Sequence, residues 1–166
     1  MYQKLCSGRA AIHLYIQQKI FSWADSFSVK DVNGSILYSV VGKIISITKK
    51  LTIYQNEQEV ARIEKKLISL MPKFYVYAGG NQIAEIKKQI SLLHPKYTVE
   101  GLDWKIEGDV WSHNYEITKR GQVIATIHKK WVSWGDAYEL NISDNVDQII
   151  ALAVIIAIDC VAGDKN

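Results

Sequence analysis

A short pattern recurs along this chain, and it limits the possible folds more than any other feature of the sequence. Residues 60–70, which read VARIEKKLISL, are matched by residues 83–93 at a spacing of 23 and by residues 124–134 at a spacing of 64. A fainter copy spans residues 37–53. Repetition at this scale marks a unit of supersecondary structure, which buries its apolar face only when the units join. The sequence therefore predicts one fold built from similar pieces.

Length and composition predict a single folded domain over residues 1–166. The chain is 48% hydrophobic and 22% charged and has only two prolines, which is the composition of a globular domain rather than of a linker or tail. Cys6 and Cys160 lie near opposite ends, without the spacing of a disulfide framework or a zinc site. The first residues lack the apolar run of a secretory signal. We expect a cytoplasmic protein.

Most of the chain has the pattern of β-strands joined by tight turns. Short runs rich in Ile, Val, Tyr and Trp are separated by residues that accept the positive φ of hairpin turns. These turn residues stand just before the copies of the repeat: Asn33-Gly34, Asn56-Glu57, Gly79-Gly80 and Arg120-Gly121. Within a copy, the Lys-Lys pair interrupts the alternation of apolar and polar residues. We expect a β-bulge or a strand bend at that pair.

The end of the chain breaks the β pattern and predicts a helix over about residues 145–161. Cap-type and acidic residues at 143–147 precede ten consecutive apolar residues, 149–158. Ten helical residues span roughly 15 Å, about half of a bilayer core, so we expect no transmembrane segment and a helix buried in protein. About a dozen strands can close around a helix. The predicted fold is mainly β: a closed antiparallel β barrel of about 12 strands enclosing a C-terminal apolar α-helix.

Several stretches resemble one known family. They are residues 15–19, 31–34, 108–111, 115–117 and 129–138, together with the Lys-Lys-x-x-Ser copies and the final apolar helix. These stretches are spread over nearly the whole chain, and through them the sequence resembles the LURP-one-related proteins. The bacterial branch of that family includes YxjI-like proteins, and the family lies within the tubby C-terminal-like superfamily. The resemblance implies a closed barrel threaded by the C-terminal helix.

The resemblance also implies a first partner. Tubby proteins bind phosphoinositides through basic residues, and phospholipid scramblases have been placed in the same superfamily, so anionic membrane lipid is the expected ligand. Charge alone selects the candidate residues, which recur at the same part of each repeat copy: Lys65, Lys66, Lys87, Lys88, Lys129 and Lys130. If barrel closure brings them to one rim, that rim attracts anionic headgroups in a salt-sensitive way. We expect a non-enzymatic binding module of unassigned biochemical function, peripheral at the membrane.

Other functions remain open. A barrel that binds an unidentified protein and has no lipid role is the main alternative, with partly exposed anchors among Trp104, Trp111, Trp131 and Trp134. Ligand carriage inside the barrel is disfavoured because the helix would fill the interior. Nucleic-acid binding is disfavoured too, because tyrosines that alternate with lysines in strands more often face a core.

Catalysis has no motif to support it. The four histidines do not fall into metal-binding spacings, and no serine lies in a GxSxG elbow. The carboxylates Asp103, Glu107 and Asp109 cluster around Trp104, but a polar hairpin explains them better than acid/base chemistry. We therefore expect no catalytic residues, no metal and no cofactor.

Overall fold

A computed structural model of the chain describes residues 11–17, 26–45, 48–66, 73–89, 96–132 and 135–163. These residues form twelve strands and one helix. The strands are β1 (Ala11–Ile16), β2 (Ser26–Lys30), β3 (Ile36–Ile45), β4 (Thr48–Gln55), β5 (Gln58–Lys66), β6 (Lys73–Ala78), β7 (Asn81–Gln89), β8 (Lys96–Glu100), β9 (Trp104–Asp109), β10 (Asn114–Lys119), β11 (Gln122–Val132) and β12 (Gly135–Ser143), and the helix is α1 (Gln148–Gly163).

The strands close into one antiparallel barrel, as the sequence predicts. Each strand pairs with its neighbours in the chain, and β1 closes the barrel by pairing with β12 from Ala11 opposite Ser143 to Ile16 opposite Tyr138. Alternate residues of the strands point inward and are apolar, including Ile53, Ile63, Val76 and Ile86, none of which is measurably exposed.

The predicted helix runs through the interior of the barrel. It begins at Gln148, three residues after the predicted start, because Asp147 is the N-cap: its Oδ1 accepts hydrogen bonds from the backbone N–H groups of Ile149 and Ile150. All twelve residues from 151 to 162 are buried. The helix packs on β5, β6, β7 and β12 and so supplies the core that the strands surround.

The two ends of the barrel differ. At one, which we call the turn end, tight hairpins join even-numbered strands to the odd-numbered strands that follow them. Positive φ occurs at both central residues of three of these hairpins, Asn56-Glu57, Gly79-Gly80 and Arg120-Gly121, as the sequence predicts. The other end, which we call the lysine end, is where β5, β7 and β11 finish with their lysine pairs and where the helix finishes at Gly163.

The bulge expected at the lysine pairs is wrong for the described residues. The pairing of β5 with β6 is continuous from Ala61 opposite Ala78 to Lys66 opposite Lys73. The register shifts lie instead near the turn end, for example between Ile53 and Tyr54. Lys65 therefore keeps the inward phase of Ala61, and the alternation continues with a charged residue on the inner face.

Between β8 and β9 the pairing is short, as it also is between β1 and β2. Only Thr98 opposite Lys105 and Val99 opposite Trp104 are paired, so the two strands separate toward the lysine end. On its other side, β9 pairs with β10 along its whole length, from Asp109 to Trp104. The barrel wall therefore has a partly open seam at this position.

Gly108 in β9 should tolerate no side chain, because its φ is +112° and an added Cβ would lie 2.8 Å from the Asn114 carbonyl oxygen and 2.9 Å from the Cα of Tyr115. We expect Gly108→Ala to lower the free energy of unfolding by about 2 to 4 kcal/mol, through backbone strain and the clash together. Gly121→Ala is the matched control, since its φ is +76° but nothing lies within 4 Å of the added Cβ. We expect the control to cost about 1 kcal/mol. Equal losses for the two variants in urea unfolding would contradict the packing argument.

Candidate binding surface at the lysine end

Three of the six candidate lysines hold equivalent positions in the barrel. In the alternation of its strand, each has the phase of the inward residues and lies directly opposite an aromatic residue of the next strand. The pairs are Lys65 with Phe74, Lys88 with Tyr97, and Lys129 with Tyr138. The expectation of three equivalent lysine pairs needs a correction, because Lys87-Lys88 begins one position earlier in its copy than the other two pairs. The repeated element is one inward lysine beside one aromatic ring.

Lys65 shows what this element does at the barrel mouth. Its side chain is 7% exposed, and its Nζ lies 5.7 Å from the centre of the Phe74 ring. A desolvated ammonium group over an aromatic face gains cation–π attraction. The helix also ends here without a basic residue in its last turn. The barrel lysines thus bring positive charge to the negative end of the helix dipole.

Lys88 reaches outward to the most exposed aromatic side chain of the described residues. Its Nζ lies 5.7 Å from the centre of the Trp111 ring, and Trp111 is 53% exposed. The loop that carries Trp111 joins β9 to β10 and is held by Asp109, whose Oδ1 accepts hydrogen bonds from the backbone N–H groups of Trp111 and Ser112. The indole is therefore presented on an ordered turn beside a lysine. Ile44, near the end of β3, is 57% exposed at the same end.

Two candidate lysines that point outward, Lys87 and Lys130, pair with carboxylates. Lys87 Nζ lies 2.6 Å from Glu100 Oε2 and 3.3 Å from Glu85 Oε1, and the hydrogen bond with Glu100 is the main cause that raises the pKa of Lys87. Lys130 Nζ lies 2.6 Å from Glu139 Oε1, and this hydrogen bond raises the pKa of Lys130. These two lysines are less available to an anionic ligand than their charge suggests.

Two candidates are placed less fully. The backbone of Lys66 lies in β5 opposite Lys73, but its side chain lies outside the described residues. Lys129 is exposed near the end of β11. Because β5 and β11 stand on opposite sides of the twelve-strand barrel, the candidate lysines are distributed around the lysine end rather than gathered in one cluster.

The two ends of the barrel carry opposite charge. The three strand residues nearest the lysine end in each of the twelve strands include ten lysines and five acidic residues. At the other end, the three nearest strand residues of each strand together with the turns, residues 31–35, 56–57, 79–80, 101–103, 120–121 and 144–147, include seven acidic and four basic residues. A net charge of +3 therefore conceals a strong polarity along the barrel axis.

A buried polar cluster lies at the C-terminal end of the helix, and the sequence reasoning missed it. Asp159 is 3% exposed, and its Oδ1 accepts a hydrogen bond of 3.1 Å from the Tyr115 hydroxyl. Its Oδ2 lies 3.8 Å from Nε2 of His113, whose ring stacks on Tyr138 with 4.2 Å between centres. Burial raises the pKa of Asp159 to about 7. One signal was available: Asp159 directly follows the ten apolar residues of a helix predicted to be buried.

The carboxylates that could suggest acid/base chemistry are separated by the structure. Asp103 lies at the turn end, where its Oδ2 is 3.2 Å from Nε of Arg120, while Asp109 holds the Trp111 loop at the lysine end. Among the described residues, no group of three or more His, Cys, Asp or Glu side chains is arranged to hold a metal ion.

The tryptophans divide between core and surface. Trp104 is 7% exposed and belongs to the core, so the expectation that it is a partly exposed anchor is wrong, whereas Trp111 is 53% exposed. The side chain of Trp131 and the whole of Trp134 lie outside the described residues.

Among the helices of the described part of the chain, none is long and apolar enough to span a bilayer.

A closed barrel of twelve antiparallel strands around one C-terminal helix defines the structural class of this protein. The same fold occurs in an X-ray structure of a protein from Arabidopsis thaliana, with a TM-score of 0.67 at 16% identity over 92% of each chain. The chain matches the LURP-one-related family over residues 12–159 and belongs to that family. It is also 34% identical over 170 residues to the uncharacterized protein YxjI of Bacillus subtilis strain 168, covering 97% of this chain and 91% of that protein.

Proposed function

We propose that this protein is a non-enzymatic, cytoplasmic binding module that docks its lysine end on membranes containing anionic phospholipid or phosphoinositide. One observation carries the proposal: Trp111 is half-exposed, beside Lys88, at the end of the barrel where lysines outnumber acidic residues two to one. Tryptophan favours the interface between headgroups and acyl chains, and lysine favours the anionic surface.

Charge and apolar contact act together in this arrangement. A basic side chain near an anionic bilayer contributes about 1 kcal/mol, and the contribution falls away within a Debye length. We propose Lys65, Lys88 and Lys129 as contributors because each lies at the lysine end at the same position of its repeat copy, opposite an aromatic residue. Burial of Trp111 and Ile44 in the membrane interface adds an apolar contribution to the binding free energy, and this contribution does not depend on salt. The phosphoinositide binding that the tubby resemblance implies supports the same ligand class by fold analogy.

Vesicle co-flotation tests the proposal with the wild-type chain. We expect binding to vesicles that contain phosphatidylserine or a phosphoinositide, weaker binding to these vesicles in high salt, and no binding to phosphatidylcholine vesicles. Trp111→Ala should weaken binding to anionic vesicles by about tenfold at either salt concentration, because its contribution is apolar. Binding that ignores both lipid charge and salt would contradict the proposal.

A second candidate function is docking of a protein partner at the turn end. Val32 and Ile36 are 68% and 60% exposed there, flanking the hairpin between β2 and β3. Two exposed apolar side chains on an acidic end offer a contact for a basic, partly apolar protein surface. A chain that fails to float with any vesicle would favour this candidate.

A further inference from the structure

The open seam between β8 and β9 forms a groove in the barrel wall. The groove has a volume of about 520 Å³, and its lining extends from the paired residues of β8 and β9 along the separated parts of the two strands, with Gln89 and Val110 at the lysine end. Ligand sites in proteins occupy about 300 to 1,000 Å³. The groove is therefore large enough for a small ligand, although the helix fills the centre of the barrel.

Apolar side chains of both strands and of the loop after β9 form the floor of the groove. Val99, Trp104, Ile106 and Val110 line it, and Gly108 leaves the floor without a side chain at one point. These side chains follow the length of the seam, which suits a single extended alkyl chain, because such a chain needs length and little width.

One polar group in the groove has no partner. Tyr97 lines the groove and is 8% exposed, and its hydroxyl oxygen is buried without a hydrogen-bond partner among the described residues. Burial, with the nearby charges of Asp109 and Asp159, raises the pKa of Tyr97, so the hydroxyl stays protonated and remains a donor. A ligand oxygen that accepted from this hydroxyl would supply the hydrogen bond that it lacks.

The rim of the groove is basic. Lys96 and Lys105 stand on the rim at exposed positions, with one acidic residue, Glu107. We propose that the groove binds one long-chain fatty acid, with the alkyl chain on the apolar floor and the carboxylate held by the rim lysines and the Tyr97 hydroxyl. A carboxylate accepts both kinds of hydrogen bond, and its charge complements the rim.

This site goes beyond the proposed membrane docking and can be tested without vesicles. The probe is cis-parinaric acid, a fluorescent fatty acid, kept below the concentration at which it aggregates. We expect saturable fluorescence enhancement with one site per chain, and displacement by palmitate but much weaker displacement by methyl palmitate, which lacks the charge.

Three variants locate the site. Ile106→Trp should fill the groove and weaken binding by about tenfold or more. Tyr97→Phe should weaken binding by about fivefold, because it removes the hydroxyl. The double variant with Lys96→Glu and Lys105→Glu should weaken it by about tenfold. Ile36→Trp, at an exposed position of the turn end, is the matched control and should bind like the wild type. Thermal unfolding checks that each variant is folded, and the surface lysine variant keeps the test valid if the tryptophan disturbs the seam.

Two results would overturn the groove as a fatty-acid site: no saturable enhancement with the wild type, or equal affinity in the wild type and the folded groove variants. Neither result bears on vesicle binding through the lysine end, so the two proposals fail separately.

Discussion

A chain that ends at Asn145 is expected to lose cooperative unfolding altogether, because it lacks the helix around which the barrel closes. Six large apolar residues lie fully inside between positions 151 and 162: Leu152, Val154, Ile155, Ile156, Ile158 and Val161. Each such side chain contributes about 1.5 to 3 kcal/mol on burial, so their loss removes about 9 to 18 kcal/mol. The whole stability of a domain is about 5 to 15 kcal/mol.

Differential scanning calorimetry of the truncated chain measures this effect directly. A chain that ends at Gly163 is the control, since it keeps the complete helix and should unfold in one sharp transition. A sharp transition in the chain that ends at Asn145 would show that the strands close without the helix, and the account of the core would then be wrong.

Replacement of Asp159 by Asn is expected to remove a large pH dependence of stability. The ordinary pKa of this carboxyl is 3.8, and burial raises it in the folded chain to about 7. Between these values the unfolded chain is ionised while the folded chain holds the proton, so the free energy of unfolding falls as pH rises and levels off above about 7. The full difference is about 4 kcal/mol. Asn keeps an oxygen that can accept the Tyr115 hydrogen bond but cannot ionise.

Urea unfolding at pH 5 and at pH 8 tests this expectation. We expect the wild type to lose stability between the two values and Asp159→Asn to lose much less, so that the variant is the more stable chain at pH 8. Glu107→Gln, at an exposed carboxyl near the same end, should follow the wild type. Parallel pH profiles for the wild type and Asp159→Asn would show that this carboxyl does not hold its proton in the folded chain.

The fold could be predicted from the sequence because its signals are local and repeated. The turn pairs fix where the hairpins bend, and the apolar run at 149–158 fixes a helix too short for a bilayer and too apolar for a surface. Closure was expected because about a dozen strands can surround and bury such a helix. These inferences depend on residues near one another in the chain, where pattern and physics agree.

The site was less predictable because it depends on contacts between residues of different strands, and these contacts cannot be read from either strand alone. The phase break at Lys65 suggested a bulge, but the Phe74 ring on the next strand lets the lysine stay on the inner face. The neutralisation of Lys130 by Glu139 depends on the register of β11 with β12. The seam between β8 and β9 depends on how far two strands stay paired, which neither strand shows by itself.

Charge reversal at the lysine end tests the central claim of membrane docking most directly. The measurement is co-flotation with phosphatidylserine vesicles at low salt. One double variant carries Lys88→Glu and Lys129→Glu at the lysine end. The control double variant carries Lys119→Glu and Arg120→Glu at the turn end. Both double variants change the net charge equally, so only the end of the barrel differs. Removal of two lysine charges costs about 2 kcal/mol, so the lysine-end variant should partition about thirtyfold less or weaker still, while the turn-end variant keeps most of its binding. Equal binding by the two variants would contradict docking through the lysine end.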